Sequence, residues 1–324
     1  MTDVGYLGAA AEPAPPGRRE DEPPSAGPGG AHRRRGKPRS LSRDAWRDLR
    51  GNPIFVVSAM VIFILVLMAA FPGWFTAKSP TFCDLNLSRG GPSSEAWFGY
   101  DVQGCDVYAR TIYGARASIL VGVFTTLSVV LIGGLVGMIA GFYGGWVDST
   151  LSRITEIFFG IPLLLGGIVV LLSFPSGADA SEWQTIGKVV LTLGVLGWTS
   201  LARIMRSTVI QVKHADYVMA ARGLGGSAIR ILRQHVLPNA VAPVIVYATI
   251  VLGVFIVIEA TLSYLGIGLQ PPVISWGVAI NQATEFARQS PHMLLFPGIF
   301  LSVTVLAFIM LGDAVRDALD PKLR

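Results

Sequence analysis

Charged residues are scarce in this chain, and several long stretches have none. Only 15% of the 324 residues are Asp, Glu, Lys or Arg, whereas 52% are hydrophobic and the mean hydropathy is +0.55. An ordinary soluble domain is about 25% charged. The composition therefore argues against a soluble globular protein and indicates a chain that lies mostly within a membrane.

The motifs of nucleotide, metal and hydrolytic chemistry are missing. The four histidines are scattered, so no set of metal ligands can be assigned. There is no G-x-x-x-x-G-K-[ST] phosphate loop, no H-E-x-x-H and no G-x-S-x-G. We therefore expect no enzyme activity, no cofactor and no metal in this chain, and any ATP-driven work would have to come from another polypeptide.

Cysteine is also rare, with only Cys83 and Cys105 present. Both fall between the first two apolar runs, in a loop that the charge distribution below places outside the cytoplasm, where disulfides persist. Closing a loop of this length stabilises a fold by about 3 kcal/mol. A Cys83–Cys105 disulfide is therefore predicted, and the alternative is two free thiols.

Uncharged runs long enough to cross a bilayer as helices, which takes about 20 residues, occur at 51–77, 117–146, 157–178, 239–258 and 289–312. A sixth run, 189–202, is shorter and spans only if the long side chains of Lys188 and Arg203 reach the two membrane surfaces. The sequence predicts an all-α membrane protein with six transmembrane helices. Their predicted positions are about 53–73, 117–141, 154–174, 186–206, 241–266 and 294–313.

The distribution of basic residues predicts the orientation. If the N-terminus is inside, 20 of the 26 lysines and arginines fall in cytoplasmic segments. The positive-inside rule then places both termini and the loop 207–240 in the cytoplasm. The net charge of +5 is explained in the same way, by contact with anionic lipid headgroups rather than with nucleic acid.

Residues 1–50 differ in composition from the transmembrane domain that follows, residues 51–324. They are rich in Pro, Gly, Ala and Arg and show no apolar period, which predicts a disordered basic cytoplasmic tail that touches lipid. A cleaved signal peptide does not fit, because the first apolar run begins near residue 53 and is long enough to span.

The segment 216–238 is charged, yet it carries two helix signatures between apolar spans. Asp216 is expected to cap a short helix, Tyr217 to Arg222, that ends at Gly223 and Gly225. The small side chains of Ala220 and Ala221 would let another surface approach this helix closely, which favours docking into a groove on a partner protein.

A second helix is expected to follow in the same segment. Ser227 would cap it, Pro238 would come after its end, and three apolar residues would share one face: Ile229, Leu232 and Val236.

The spacing of this segment resembles the signature of the permease subunits of bacterial ABC importers, which reads E-A-A-x3-G-x9-I-x-L-P. Met219-Ala220-Ala221, Gly225 and Leu237-Pro238 stand at that spacing. Met219 replaces the usual Glu, and His235 replaces the usual Ile.

Two further stretches resemble the peptide and nickel branch of that family. One is the run Leu262-Ser263-Tyr264-Leu265-Gly266-Ile267-Gly268, with Gln270-Pro271-Pro272 and Ser275-Trp276-Gly277 behind it. The other begins at Phe98-Gly99-Tyr100-Asp101 and continues through Gly104, Asp106 and Tyr113-Gly114-Ala115-Arg116. It resembles the "C" permeases of the branch, with Cys105 where Arg is usual. Together the matches cover about residues 50–324.

The resemblance implies a type I ABC importer permease fold and a multi-pass location in a bacterial plasma membrane. It also implies that the segment 216–238 couples the chain to an ATPase. The residues at the matching positions are Asp216, Tyr217, Met219, Ala220, Ala221, Arg222, Gly225, Leu237 and Pro238.

The implied partners are a second, "B"-type permease, one or two ATPase subunits that carry ATP and Mg²⁺, and an extracytoplasmic substrate-binding protein. The implied function is import of di- or oligopeptides through a pathway of which this chain forms half. Nickel or another small ligand remains the alternative cargo.

Glycines recur every four residues along the second predicted span, at Gly133, Gly137 and Gly141, with Gly145 continuing the series. Small residues let helix backbones pack closely in lipid. The stripe therefore packs either against another helix of this chain or against the second permease subunit.

Glu259 is an ionisable residue near the outer end of the fifth predicted span. An acidic group there either lines the translocation pathway, where it would meet the ammonium group of a substrate, or forms a structural hydrogen bond, for example to Ser263.

A self-sufficient secondary transporter is the less favoured alternative. Such a protein would place several ionisable residues in mid-membrane and show inverted repeats. The sequence offers only Glu259, off centre, and no repeat.

Overall fold

The computed structural model describes residues 41–319 except Ser176, Ala178 and Asp179, and within that range it is helical, without a β-sheet. The prediction of an all-α protein is confirmed. The α-helices in the described range are α1 (Leu41–Gly51), α2 (Pro53–Ala70), α3 (Val107–Tyr143), α4 (Gly145–Phe159), α5 (Leu163–Ser173), α6 (Glu182–Gly197), α7 (Thr199–Lys213), α8 (Asp216–Gly223), α9 (Ala228–Ile231), α10 (Leu237–Tyr264), α11 (Trp276–Ala283) and α12 (His292–Leu319).

The predicted tail is wrong in its last part, because residues 41–51 form α1. Aromatic contacts hold this helix beside the first span. The Arg50 guanidinium lies 4.8 Å from the centre of the Trp46 ring, and that ring meets Phe55 of α2 edge-on at 6.4 Å. These contacts stabilise a helix that has no long apolar run. The rest of the tail, residues 1–40, lies outside the described residues.

Four continuous helices are long and apolar enough to cross a membrane, and two bent pairs of helices bring the number to the six predicted when each pair is counted as one span. The pair α4 and α5 is bent by 80° and the pair α6 and α7 by 46°. The first break falls at Gly160–Pro162, where proline has no N–H to continue a helix. The second break is at Trp198.

Two predicted boundaries differ from the structure for local reasons. α3 begins at Val107, ten residues before the predicted start, because Asp106 caps it and accepts a hydrogen bond from Ala109 N at 2.9 Å. The fifth span does not begin after Pro238 but runs continuously from Ala228 to Tyr264. A five-residue π turn, Leu232–Val236, joins α9 to α10.

The spans run between two ends of the bundle. The α8 end carries α8, the turn between α3 and α4, and the end of α12, and there Lys213 donates a hydrogen bond to Gly141 O at 2.7 Å. At the same end Asp148 of α4 accepts hydrogen bonds from Arg206 of α7 at 2.5 and 2.7 Å.

The opposite end, the disulfide end, carries the loops 71–106 and 265–291. A disulfide joins Cys83 to Cys105, and Lys78 pairs with Asp106 at 2.7 Å. The hydrogen bond to Asp106 raises the pKa of the Lys78 ammonium group above its usual value. The loop is therefore fixed by a covalent and an ionic contact, and by the packing of Phe98 and Val102 on a buried cluster at the start of α3.

The glycine stripe packs inside the chain, against α7. A Cβ atom added to Gly133 would lie 2.5 Å from Trp198 O, one on Gly137 would lie 2.3 Å from Ala202 O, and one on Gly141 would lie 2.8 Å from Arg206 O. The backbones of α3 and α7 therefore touch along the stripe, and the alternative of a second permease subunit at these three glycines is wrong. Gly145 is not part of this contact, since it starts α4 with φ +54° and a Cβ there would meet nothing.

Candidate functional site

The short helix α8 projects from the α8 end of the bundle between α7 and α9. It begins at Asp216, as expected, but Ala215 occupies the capping position and has no side-chain oxygen to offer. The prediction that Asp216 caps the helix is therefore wrong. Asp216 lies instead in the first turn, where an acidic side chain interacts favourably with the positive end of the helix dipole.

The two faces of α8 have different surroundings. Val218 is fully buried, and Ala221 packs with it against the cluster that contains Ile231 and Val236. These contacts hold the inner face of α8 on the α9–α10 helix.

The outer face of α8 is apolar and open to the surroundings. Tyr217 is 47% exposed, Met219 57% and Leu224 89%, and Ala220 and Arg222 are exposed with them. Large apolar side chains gathered at an end of a membrane protein mark an interaction surface. We call Tyr217, Met219, Ala220 and Leu224 the outer face of α8. Ala221, predicted with Ala220 to face a partner, is partly buried because it packs against the cluster beneath α8.

A glycine-containing turn fixes the angle between α8 and α9. Gly225 has φ +81°, which only glycine adopts without strain, and Gly226 N donates to Ala221 O at 3.0 Å. Ser227 caps α9 as predicted, accepting from Arg230 N at 3.4 Å. This turn is short and hydrogen-bonded, so α8 is held at a defined angle to α9.

The predicted apolar face of the second helix is shifted. Ile229 is 75% exposed, whereas Ile231 and Val236 are buried. The prediction assumed α-helical spacing between the apolar residues. The π turn adds a residue to that spacing, so a different face of the helix is buried. At the end of the signature, Leu237 packs against the same cluster and Pro238 is exposed in the first turn of α10.

Glu259 lies inside the chain and has no exposed surface. Its Oε1 atom accepts hydrogen bonds from the hydroxyls of Ser263 at 2.7 Å and Ser275 at 3.4 Å. The Ser263 hydroxyl in turn accepts from Leu269 N at 2.9 Å. Oε2 has no hydrogen-bond partner within the described residues, although the Ser118 hydroxyl stands beside the carboxyl.

This arrangement fits the structural alternative for Glu259. The carboxyl fixes two hydroxyls that hold the loop 265–275 on α10, and a group without exposed surface does not meet cargo in this conformation.

Replacing Glu259 by Leu should lower the stability of the protein by about 1–3 kcal/mol, because the hydroxyls of Ser263 and Ser275 would lose their acceptor in a buried site. Glu259→Gln should be close to wild type, since an amide oxygen can accept from both. Thermal unfolding of the purified complex and hydrogen exchange at the Leu269 amide would measure this. A Glu259→Gln variant with normal stability but no uptake would instead favour contact with the substrate.

Comparison with known proteins identifies two matching family models. The model described as "Binding-protein-dependent transport system inner membrane component" matches residues 133–324, and the model described as "N-terminal TM domain of oligopeptide transport permease C" matches residues 40–92. The two matches together include α1, α2, the last part of α3 from residue 133, and the helices from α4 to α12, with α8 among them.

Individual relatives align along most of the chain. The dipeptide transport system permease protein DppC of Bacillus subtilis (strain 168) is 39% identical over 287 residues, which cover 88% of this chain and 87% of that one. The oligopeptide transport system permease protein OppC of the same organism is 36% identical, with 94% and 97% covered. The glutathione transport system permease protein GsiD of Escherichia coli O6:K15:H31 (strain 536 / UPEC) is 34% identical, with 86% and 90% covered.

Proposed function

Because the chain belongs to the family of binding-protein-dependent transport system inner membrane components, we propose that it is a permease subunit that forms half of the pathway of an ATP-driven peptide importer. The observation that carries this proposal is the similarity to peptide permeases over 88% of the chain or more. The relatives are named for dipeptides, oligopeptides and glutathione, all of which are peptides. Peptides are therefore the proposed cargo rather than nickel.

The proposed orientation places the α8 end in the cytoplasm and the disulfide end outside. The charge asymmetry supports it, since 20 of the 26 lysines and arginines lie in segments that this orientation puts inside. The disulfide supports it as well, because a Cys83–Cys105 bond persists in an oxidising compartment and not in the cytoplasm.

We assign the coupling of ATP hydrolysis to α8. Its outer face presents Tyr217, Met219 and Leu224, which suit an apolar groove on an ATPase subunit. Its inner face is packed on the α9–α10 helix, and two residues join it to α7. A push on α8 would therefore move α7 and α10 together, as a rigid-body motion of packed helices requires.

In this proposal ATP and Mg²⁺ bind to separate ATPase subunits, and a second permease forms the other half of the pathway. An extracytoplasmic binding protein delivers the peptide to the disulfide end. This chain would contribute the pathway and the coupling surface, with no catalytic step of its own.

Reconstitution tests the proposal against a self-sufficient transporter. We expect liposomes that contain the chain, the second permease and the ATPase subunits to take up labelled peptide only with ATP and the binding protein. Liposomes that contain this chain alone should take up none. Uptake by the single chain, driven by an ion gradient, would overturn the assignment.

A further inference from the structure

The two helix breaks of this protein border one cavity. The cavity has a volume of about 290 Å³ and is lined by Ile161 and Pro162 at the first break, by Gly197 and Ser200 at the second, and by Tyr247 of α10. The rings of Phe158 and Trp198, one from each break, are 5.7 Å apart and join the two. The bends in two different spans are therefore parts of one structure.

The cavity lies between the α8 end and the disulfide end of the bundle. Ser200 is 13 residues from the end of α7 at Lys213, which is about 20 Å at 1.5 Å per residue. On the other side of the break, α6 extends 16 residues to the disulfide end. Irregular backbone at such a depth is tolerated where it is packed in protein or lines a hydrated cavity.

The hydroxyl groups at the cavity differ from those elsewhere on the spans. Ser173, Thr249 and Ser302 each donate to the carbonyl four residues earlier in their own helix, at 2.7–2.9 Å. Within the described residues, the Ser200 hydroxyl makes no such bond, and it borders the cavity together with the hydroxyl-bearing Tyr247. An unpaired hydroxyl facing lipid costs several kcal/mol, so Ser200 indicates a polar occupant.

The chemistry of the lining limits what that occupant can be. Aliphatic and aromatic side chains surround the hydroxyl-bearing residues Thr199, Ser200 and Tyr247, and the lining contains no acidic or basic residue. A site of this kind offers hydrogen bonds to neutral groups and apolar contact to side chains, but no charge partner. The amide groups of a peptide backbone match it, and so do side chains of varied size.

Tyr247 also borders a second, more open cavity of about 430 Å³, together with Ile204, Ile250 and Arg316. Arg316 lies in the last turn of α12, at the α8 end. The two cavities therefore follow one another from the helix breaks towards the α8 end, with Tyr247 lining both.

We propose that the cavity between the two helix breaks is a contact site for the transported peptide, and that Ser200 and Tyr247 hydrogen-bond to its backbone. This inference rests on the proposed transport function and adds to it the residues of this chain that meet the cargo. A site that hydrogen-bonds to backbone amides and has no charged residue binds peptides of different sequence. Selection among peptides would then be made by other subunits.

A single introduced cysteine tests the proposal, because Cys83 and Cys105 are the only cysteines in the chain and both are bonded. In the reconstituted complex, Ser200→Cys should react with a small, water-soluble methanethiosulfonate about tenfold faster than Ser302→Cys, since thiol reactivity follows access to water. Ser302 is a matched control: it is an exposed serine of a spanning helix whose hydroxyl is bonded within that helix. Val254→Cys, at another lining position, serves as a second reporter.

Labelled peptide with the binding protein and ATP should slow the reaction at Ser200→Cys and Val254→Cys but not at Ser302→Cys, and modification of the Val254→Cys complex should lower its uptake below that of the same complex before modification. Two outcomes overturn the proposal. If Ser200→Cys and Val254→Cys react only with a lipid-soluble maleimide, the cavity faces lipid, and if they react with neither reagent, the second permease fills it. Uptake by the unmodified Ser302→Cys complex separates these results from a failure of the transport function itself.

Discussion

Replacing Ala220 by Asp should abolish ATP-dependent peptide uptake without reducing the amount of folded protein in the membrane. Ala220 is exposed on the outer face of α8 next to Tyr217. A carboxylate there costs nothing in the free chain but would be buried without a partner when α8 enters its groove, at a cost of several kcal/mol. Each 1.4 kcal/mol weakens docking about tenfold, so uptake should fall to background.

The neighbouring residues supply the controls for this experiment. Ala220→Ser keeps a small neutral side chain and should transport normally. Val218→Asp places the same charge in a fully buried position of the same helix and should lower the yield of folded protein. Co-purification with the ATPase subunits, uptake and membrane yield would be measured for all three. Normal uptake by Ala220→Asp would show that the outer face of α8 does not contact the ATPase.

The class of this protein and its spans could be read from the sequence because they depend on composition alone. Uncharged runs of about 20 residues have few alternatives to a membrane helix. The family could be read as well, because the spacing of Met219-Ala220-Ala221, Gly225 and Leu237-Pro238 is specific. The two family models confirm that resemblance.

What the sequence could not predict depends on contacts between distant residues. The prediction for α8 treated Ala220 and Ala221 alike, yet one faces outwards and the other packs beside Val218, because the helix is docked on α9 and α10. The buried face of the second helix was predicted wrongly because the apolar pattern does not reveal a π turn. The breaks in two spans are likewise visible only in the fold, although Pro162 was a signal for the first.

The role of Glu259 shows the same limit. Its position along the span was compatible with either a pathway residue or a structural one, and only the packing of the loop 265–275 around it distinguishes them. Ser200 and Tyr247, in contrast, carry no sequence signal. Their common cavity arises because two helix breaks meet α10 at the same depth.

The glycine stripe leads to a second prediction with a large effect: Gly137→Ala should strongly destabilise the protein. The added methyl group would lie 2.3 Å from Ala202 O, a backbone atom that cannot move away without separating α3 from α7. Overpacking a close helix contact costs about 1–3 kcal/mol and sometimes more, which is a large part of the 5–15 kcal/mol that stabilises a typical folded protein. Thermal unfolding in detergent should therefore shift to a lower temperature, and the yield from membranes should fall.

Gly134 provides a matched control, because it lies in the same helix three residues earlier and a Cβ there would meet only Leu201 Cδ2, at 4.0 Å. Gly134→Ala should be neutral or slightly stabilising, since alanine favours a helix over glycine by up to about 1 kcal/mol. The difference between the two variants then measures the α3–α7 contact itself rather than helix propensity. If Gly137→Ala unfolds like wild type, the close contact between α3 and α7 at this position does not contribute to the stability of the fold.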